Sequence, residues 1–249
     1  SDVCSSDLPM TAAEEQRLDL ACAYRILAHH NVIDAYGHVS VRSASNPNRY
    51  LLAKHLAPQL VTPDDILEYD LDSNPQDANG RESVRERYIH GEAYKARPEV
   101  MSVVHNHSPT VVPFSVTGVP MRGLFHMAAF VGDGLPVWDI ADAQKGTDLL
   151  VKTPYLGQHL AKALGGKPAV LMRGHGATVV GESLPRSVGR SVYLEMSAKM
   201  QMEATLLAGP GGKIAFLHPE EVAASVPAQE YNRAWPMWKA WALEQLKKA

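Results

Sequence analysis

The stretch SVVHNHSPT, residues 102–110, has the pattern of a valine-rich buried strand that runs into a turn. Two histidines, His105 and His107, stand two residues apart in it. Because side chains alternate between the two faces of a strand, both imidazoles are predicted to point to the same face. This spacing suits two ligands of one metal ion. A packed or surface histidine at a strand end would show the same local pattern, so the rest of the chain has to decide.

A third histidine, His175, lies in the sequence MRGHGA, where a Val/Leu-rich strand enters a turn. Its neighbours Gly174 and Gly176 would let backbone and metal approach closely. Three neutral imidazoles with an open fourth position form a catalytic rather than a structural site for a first-row divalent ion. We therefore expect one divalent metal ion, which could be Zn, Mn, Co or Fe.

A metal site also needs an acid or base beside it, and the segment before the strand supplies candidates. A helix is predicted over residues 85–96, in which Glu86 and His90 would share a face. Glu92 is expected to pair with Lys95 on a solvated face. From the residues alone, Glu86 is as consistent with a solvated surface as with a catalytic role.

The composition is that of an ordinary globular protein, with 249 residues, a formal charge of -3, 45% hydrophobic and 20% charged residues. There is no basic excess to indicate nucleic acid or an anionic membrane as a partner. The two cysteines provide neither a disulfide framework nor a thiolate metal site, which favours a reducing compartment. No apolar run approaches the roughly 20 residues that span a bilayer. We expect a cytoplasmic protein that acts on a small molecule.

Strands and helices interleave along the chain without a linker, repeat or low-complexity block, which predicts a single α/β domain over residues 10–249. Residues 1–9 have no periodicity and are interpreted as a non-native or disordered leader. Helices are predicted at residues 12–31, 85–96, 154–164, 183–207 and from 219 to the end, with a helix start at Thr62. Strands are predicted within residues 37–42, 49–53, 66–75, 100–107 and 135–140, and two more, joined by a tight turn, within 168–182.

Four motifs in order resemble the class II aldolase/adducin family: GHVSVR (37–42), Glu86 in RERYIHGEAYKARPEV (85–100), SVVHNHSPT (102–110) and RGHGA (173–177). The resemblance extends from about Met10 to the C-terminus. It implies a three-layer α/β/α sandwich on a mixed, largely antiparallel sheet, and a homotetramer with active sites at subunit interfaces. It also implies that His105, His107 and His175 are the metal ligands and that Glu86 is the acid/base.

The chain departs from the family's aldolases where these hold a sugar phosphate with small hydroxyl, glycine and amide residues. A phosphate cradle depends on close backbone N–H groups and hydroxyls. Here larger and mostly basic groups replace it, and basic groups suit carboxylates. The expected substrate-binding residues are His38, Ser40, Lys54, His55 and Arg85. His126 aligns with the family's catalytic tyrosine, so it shares the expected acid/base role with Glu86.

This altered set is more similar to the family's decarboxylase branch, which acts on hydroxylated aromatic or pyridine dicarboxylates such as dihydroxyphthalate. Decarboxylation and retro-aldol cleavage each leave a carbanion that a chelated oxygen can absorb as an enolate, so one metal site can serve both. The resemblance therefore implies a metal-dependent carbon-carbon lyase, with carboxy-lyase activity favoured. Arg85, Lys54 or His38 would hold a second carboxylate.

The sequence is also compatible with other activities. A retro-aldolase or epimerase of a sugar, sugar phosphate or hydroxy acid would keep the same metal site, and an oxygen-dependent relative would use iron there. A structural, adducin-like role would predict degraded metal ligands, whereas all three are present. In the family the C-terminal end lies near a neighbouring subunit's active site, so Tyr231 and Arg233 are further candidates for substrate binding, although aromatic residues at helical spacing are also typical of a core or interface.

Overall fold

A computed structural model describes residues 9–248, so the predicted leader, apart from Pro9, lies outside the described residues. Seven strands form one sheet in the order β3-β2-β1-β4-β7-β6-β5. They are β1 His38–Arg42, β2 Arg49–Ala53, β3 Ile66–Asp70, β4 Ser102–Asn106, β5 Val137–Trp138, β6 Ala169–Met172 and β7 Gly176–Gly181. Neighbouring strands pair antiparallel except β5 and β6, which are parallel. The mixed, largely antiparallel sheet is confirmed.

Helices cover both faces of this sheet. They are α1 Ala12–His29, α2 Tyr88–Ala96, α3 Val112–Val116, α4 Pro154–Leu164, α5 Leu184–Ala208, α6 Pro219–Ser225 and α7 Ala234–Leu246. Short 3₁₀ turns lie at Pro58–Leu60, Pro63–Asp65, His126–Val131, Ile140–Asp142 and Val226–Ala228. Between residues 9 and 248, no helix has the length and apolar character that crossing a membrane would require.

The two cores separate along the period-2 alternation of the strands. Val104 of β4 joins α1, α5 and α7 in one hydrophobic cluster, whereas its neighbour Val103 faces α2 and α4 in the other. Val179 and Val180 of β7 divide in the same way. Because consecutive side chains of a strand point to opposite faces, a continuous valine run supplies both cores at once. The three-layer α/β/α sandwich is confirmed.

Three local predictions differ from the structure. Helix α2 begins at Tyr88, because the Arg87 guanidinium bonds the Ser73 and Val84 carbonyls and holds residues 85–87 in a loop. The helix predicted from Pro219 to the end is interrupted at Tyr231, whose φ of 55° is left-handed. The helix start at Thr62 produces a single 3₁₀ turn before β3.

Glu92 does not lie on a solvated face. Its ion pair with Lys95, at 2.8 Å, is present, but Glu92 itself is buried. The reason is the packing of α2 on α4, since a Cβ at Gly157 would lie 2.8 Å from the Glu92 Cγ. Local spacing placed this residue correctly relative to Lys95 but not relative to the neighbouring helix.

Candidate metal centre and active-site cavity

Strand pairing brings the three predicted histidine ligands to one edge of the sheet. In the β1–β4 pair His38 lies opposite His105, and in the β4–β7 pair Asn106 lies opposite Ala177. His107 therefore follows the end of β4 at the place where His175 precedes the start of β7. Residues 68 positions apart in the chain become neighbours through this register.

The turn between β6 and β7 must come very close to the end of β4. A Cβ at Gly176 would lie 1.8 Å from the Asn106 carbonyl oxygen, a distance that no side chain tolerates. Gly174 has a φ of 64°, in the region that glycine adopts without strain. These two glycines therefore allow the His175 imidazole to reach the other two.

The three imidazoles and one carboxylate converge on a single point. The Nε2 atom of His107 lies 3.1 Å from the Nε2 atoms of both His105 and His175. The Glu86 Oε2 is 3.5 Å from the His105 Nε2 and 3.6 Å from the His175 Nε2. One potential ligand atom from each of the four residues lies within 4.8 Å of the others. The group is thus compact enough to share one ion.

The donor set fits a divalent cation. Nitrogen ligands at about 2.0–2.1 Å in tetrahedral geometry are separated by about 3.3 Å, close to the spacing found here. The His175 Nδ1 lies 2.9 Å from the Leu149 carbonyl oxygen and donates to it, which leaves the Nε2 lone pair facing the cluster. Such a backbone partner is typical of metal-binding histidines, whose orientation it fixes.

Glu86 is positioned by the backbone as well as by the histidines. Its Oε1 accepts a hydrogen bond of 2.9 Å from the Val151 N–H, which leaves Oε2 directed to the cluster. Burial raises the pKa of the Glu86 carboxyl, but the neighbouring His105 and His175 outweigh this effect and lower the pKa well below its ordinary value. Glu86 therefore rests as a carboxylate, able to accept a proton or contact a cation.

The surroundings shift the pKa values of the three histidines differently. Burial, reinforced by His105 and His175, lowers the pKa of His107 to about 4. Burial also lowers the pKa of His105, although Glu86 opposes it. For His175 burial is the largest single influence and acts in the same direction, but the hydrogen bond and charge of Glu86, together with the Leu149 carbonyl, outweigh it and raise the pKa. The neutral form that binds metals is therefore favoured at His105 and His107.

A cavity of about 660 Å³ opens beside the cluster. Its lining includes His38, Lys54, His55, Arg85 and Glu86, together with His107. Apolar and aromatic walls come from Tyr24, Tyr36, Leu56, Ala57 and Leu150. The size and the mixture of apolar walls with a few polar groups suit a small-molecule site.

The basic residues of this cavity are not equivalent. The Lys54 Nζ lies 2.7 Å from the Asp65 carboxylate, and the His55 Nδ1 lies 3.4 Å from the Glu82 carboxylate. Arg85 is exposed on the cavity wall and has no ion pair or side-chain hydrogen bond within residues 9–248. The guanidinium of Arg85 is therefore the cation of this group that remains available to an anionic ligand.

Ser40 lies behind the cavity rather than in its wall. It is fully buried, and its hydroxyl contacts His90 and Tyr94. His90 in turn contacts His38, which does line the cavity. A substrate contact of Ser40 therefore remains without structural support, whereas its position behind His38 is well defined.

The other three sequence-predicted residues lie together in a second cavity, of about 840 Å³. His126, Tyr231 and Arg233 line it, and it shares no lining residue with the first. His126 and Arg233 are exposed, whereas Tyr231 is buried, stacks on Tyr193 and donates a hydrogen bond to the Met127 carbonyl. Within one chain, these residues do not meet the histidine cluster.

Sequence reasoning missed two contributors to the first site. Tyr36 lines the cavity, and its ring centroid lies 6.5 Å from that of His107. The segment 149–151 supplies the carbonyl that holds His175 and the N–H that holds Glu86. Tyr36 stands two residues before His38 and could have been found by its place in that motif. The carbonyl and N–H groups of residues 149–151 belong to the backbone, which every residue type shares, so the role of this segment could not have been found from the sequence.

Comparison with known proteins agrees with these features. Residues 18–202 match the model of the Class II Aldolase and Adducin N-terminal domain. The decarboxylase tropJ of Talaromyces stipitatus is 37% identical over 235 residues, which cover 86% of this chain and 88% of the relative. The 3,4-dihydroxyphthalate decarboxylase of Arthrobacter keyseri is 30% identical over 230 residues, 88% of each chain. An L-fuculose 1-phosphate aldolase structure from Glaciozyma antarctica has a TM-score of 0.74 at 21% identity, covering 97% of this chain and 94% of its own.

These similarities carry different weights. The solved structure is too distant in sequence to support more than the shared fold. The matched domain and the two decarboxylases confirm the predicted resemblance to the decarboxylase branch, and with it the prediction of a lyase. The chain belongs to the class II aldolase and adducin family.

Proposed function

We propose that this protein is a divalent-metal-dependent carboxy-lyase that removes carbon dioxide from a hydroxylated aromatic or pyridine dicarboxylate. The observation that carries the proposal is the position of the cluster of Glu86, His105, His107 and His175 beside a cavity with the available cation Arg85. The Arthrobacter keyseri relative is a decarboxylase of 3,4-dihydroxyphthalate, which supports the choice of substrate class.

His105, His107 and His175 would hold the metal, with Zn, Mn, Co and Fe all compatible with three imidazoles. Lewis-acid stabilisation of the negative charge that departing carbon dioxide leaves behind is the chemistry that such an ion supplies when bound. The hydrogen bond from His175 to the Leu149 carbonyl supports this assignment, because it orients the ring before any ion arrives.

Arg85 would bind the carboxylate that is retained, through the paired N–H groups of its guanidinium. Leu56, Ala57 and Leu150 would contact the ring and exclude water from its faces. With the ring held at both ends, the scissile carboxylate can be kept out of the ring plane, where the breaking bond overlaps with the ring π-system.

Glu86 would move the proton. As a resting carboxylate, its Oε2 can accept the proton of a substrate hydroxyl and then return it to the ring carbon. The carbon-carbon bond breaks, its electron pair stays on the ring carbon, and the proton from Glu86 fills the valence that carbon dioxide vacates. No oxidant or reductant is needed.

The test is a product assay with two substrates. Protein loaded in turn with Zn, Mn, Co or Fe is incubated with 3,4-dihydroxyphthalate and, separately, with fuculose 1-phosphate, and carbon dioxide and aldehyde are followed. We expect carbon dioxide from the first and no aldehyde from the second, and chelator-treated protein serves as the control. Aldehyde release without carbon dioxide would instead favour retro-aldol cleavage, and metal analysis of the purified protein identifies the ion.

We further propose a cytoplasmic homotetramer in which the second cavity of one chain lies next to the first cavity of another. The exposure of His126, Arg233 and Met237 around the second cavity supports this arrangement. Light scattering should give about four times the 27.2 kDa of one chain. A monomer at micromolar concentration would contradict the proposal without affecting the metal site.

A further inference from the structure

A chain of four buried polar side chains leads from the interior of the sandwich to the cavity wall. The Tyr94 hydroxyl lies 2.7 Å from the Ser40 Oγ, which lies 2.6 Å from the His90 Nδ1. The His90 Nε2 lies 2.6 Å from the His38 Nδ1. Of these residues, His38 is the most exposed, at 6%, and it is the one that lines the cavity.

The direction of proton donation along these hydrogen bonds follows from the buried end, at Tyr94. Within residues 9–248, the Tyr94 hydroxyl has no hydrogen-bond acceptor other than the Ser40 Oγ. If every proton ran from the cavity inward, the Tyr94 proton would be buried without a partner, which is unfavourable. If every proton runs outward, each has an acceptor: Tyr94 donates to Ser40, Ser40 to the His90 Nδ1 and the His90 Nε2–H to the His38 Nδ1.

This direction determines the tautomer of His38. Since its Nδ1 accepts a hydrogen bond, that nitrogen carries a lone pair, and the single proton of the neutral ring lies on Nε2. A protonated His38 would bring two N–H groups face to face at 2.6 Å. The His38 Nε2 makes no hydrogen bond within the described part of the chain and is not fully enclosed by protein atoms, so it opens to the cavity.

We infer that Ser40 and His90 are positioning residues that hold His38 as the neutral Nε2–H tautomer, so that His38 donates a hydrogen bond to a carboxylate oxygen of the substrate. His38 is then a neutral donor and Arg85 a charged one in the same cavity. The tautomer rests on geometry alone, and only the identity of the acceptor rests on the proposed function.

The tautomer can be measured directly. Protein labelled with ¹⁵N-histidine and loaded with diamagnetic Zn²⁺ is examined by two-dimensional NMR that correlates the ring protons with both ring nitrogens. The signals that disappear in the His38→Gln variant are assigned to His38. We expect the pattern of a neutral ring with the proton on Nε2. A proton on Nδ1, or a protonated ring at neutral pH, would overturn the inference.

Two variants test the series of hydrogen bonds behind His38. Ser40→Ala removes the donor to His90 and should give mixed His38 tautomers, whereas Tyr94→Phe leaves the Ser40 proton free to bond His90 and should keep the Nε2–H form. Near-ultraviolet circular dichroism verifies that each variant is folded. If Ser40→Ala fails to fold, His90→Phe replaces it, because the phenyl ring keeps the shape of the side chain but neither accepts from Ser40 nor donates to His38, and the same mixed tautomers are expected. An unchanged His38 pattern in the folded chain-breaking variant overturns the positioning role.

Kinetics with 3,4-dihydroxyphthalate supply a second readout. Ser40→Ala should raise KM by up to about tenfold with a smaller change in kcat, because an oriented donor to a charged acceptor is lost. His38→Gln, whose side-chain amide keeps a donor near the Nε2 position, should bind better than His38→Leu. If no carbon dioxide is released by the unmodified protein, the proposed function fails while the NMR result stands. An inverted order of the two His38 variants contradicts the donor role alone.

Discussion

The two cavities of this chain differ in what they can do alone. Beside the first lie four convergent potential ligand atoms, where the backbone orients His175 and Glu86, and the available guanidinium of Arg85 lines the cavity. The second holds His126, Tyr231 and Arg233, of which Tyr231 is already engaged in packing. One chain thus brings together all four residues of the candidate metal centre but only part of the predicted set of catalytic and substrate-binding residues. The resemblance to the family thus assigned to one active site residues that lie in two separate cavities of a single chain.

Removing a ligand from the first cavity should have the largest effect. His107→Ala is expected to eliminate bound metal and to lower decarboxylation at least about a thousandfold, since Lewis-acid stabilisation is worth several kcal/mol. Metal content by mass spectrometry and carbon dioxide release measure the two effects. His159→Ala, on α4 outside both cavities, is the matched control. Full activity in His107→Ala would remove the metal hypothesis.

Changing Glu86 should separate metal binding from proton transfer. Glu86→Gln is expected to keep the metal but to lower kcat by about 10²–10⁴-fold, the range of general acid-base catalysis. The amide can still accept the Val151 N–H bond, so the local structure should persist. Loss of metal on the scale of His107→Ala would show instead that Glu86 is a ligand.

Arg85 should matter for dicarboxylates in particular. Arg85→Ala is expected to lower kcat/KM for 3,4-dihydroxyphthalate by about 10- to 100-fold, the value of a hydrogen-bonded charge pair. The loss should be much smaller for 2,3-dihydroxybenzoate, which lacks the second carboxylate. Lys54→Ala is the comparison, because Lys54 is already paired with Asp65. Equal losses for the two acids would contradict the assignment of Arg85.

The second cavity should show the smallest effect and can be tested by mixing. His126→Ala is expected to lower activity by about tenfold, as for an auxiliary proton donor. If the two cavities meet between chains, co-expressed His126→Ala and His107→Ala subunits form some sites with both histidines intact. Doubly tagged mixed oligomers should then exceed the activity of each parent. Activity no higher than that of the His126→Ala parent would show that the two cavities act separately.

Much of the fold and of the metal centre could be predicted from local sequence. His105 and His107 share a face because of strand periodicity, and the glycines beside His175 indicated the close turn that the structure contains. The place of Glu86 outside α2 could not be predicted, because the loop is held by a hydrogen bond from the Arg87 guanidinium to the Ser73 carbonyl, which comes from another segment. Nor could the basic residues of the cavity be ranked, because the carboxylates that pair with Lys54 and His55 come from other segments.

The sequence by itself determined the residue types that carry the chemistry, the alternation that supplies two cores, and the family. These are properties of short stretches, where periodicity and turn chemistry act within a few residues. Only the tertiary structure decided that His175 reaches His107, that Ser40 supports His38 from behind, and that His126 lies apart from the cluster. Such contacts depend on strand register and on packing between distant segments, and local sequence pattern does not encode them one by one.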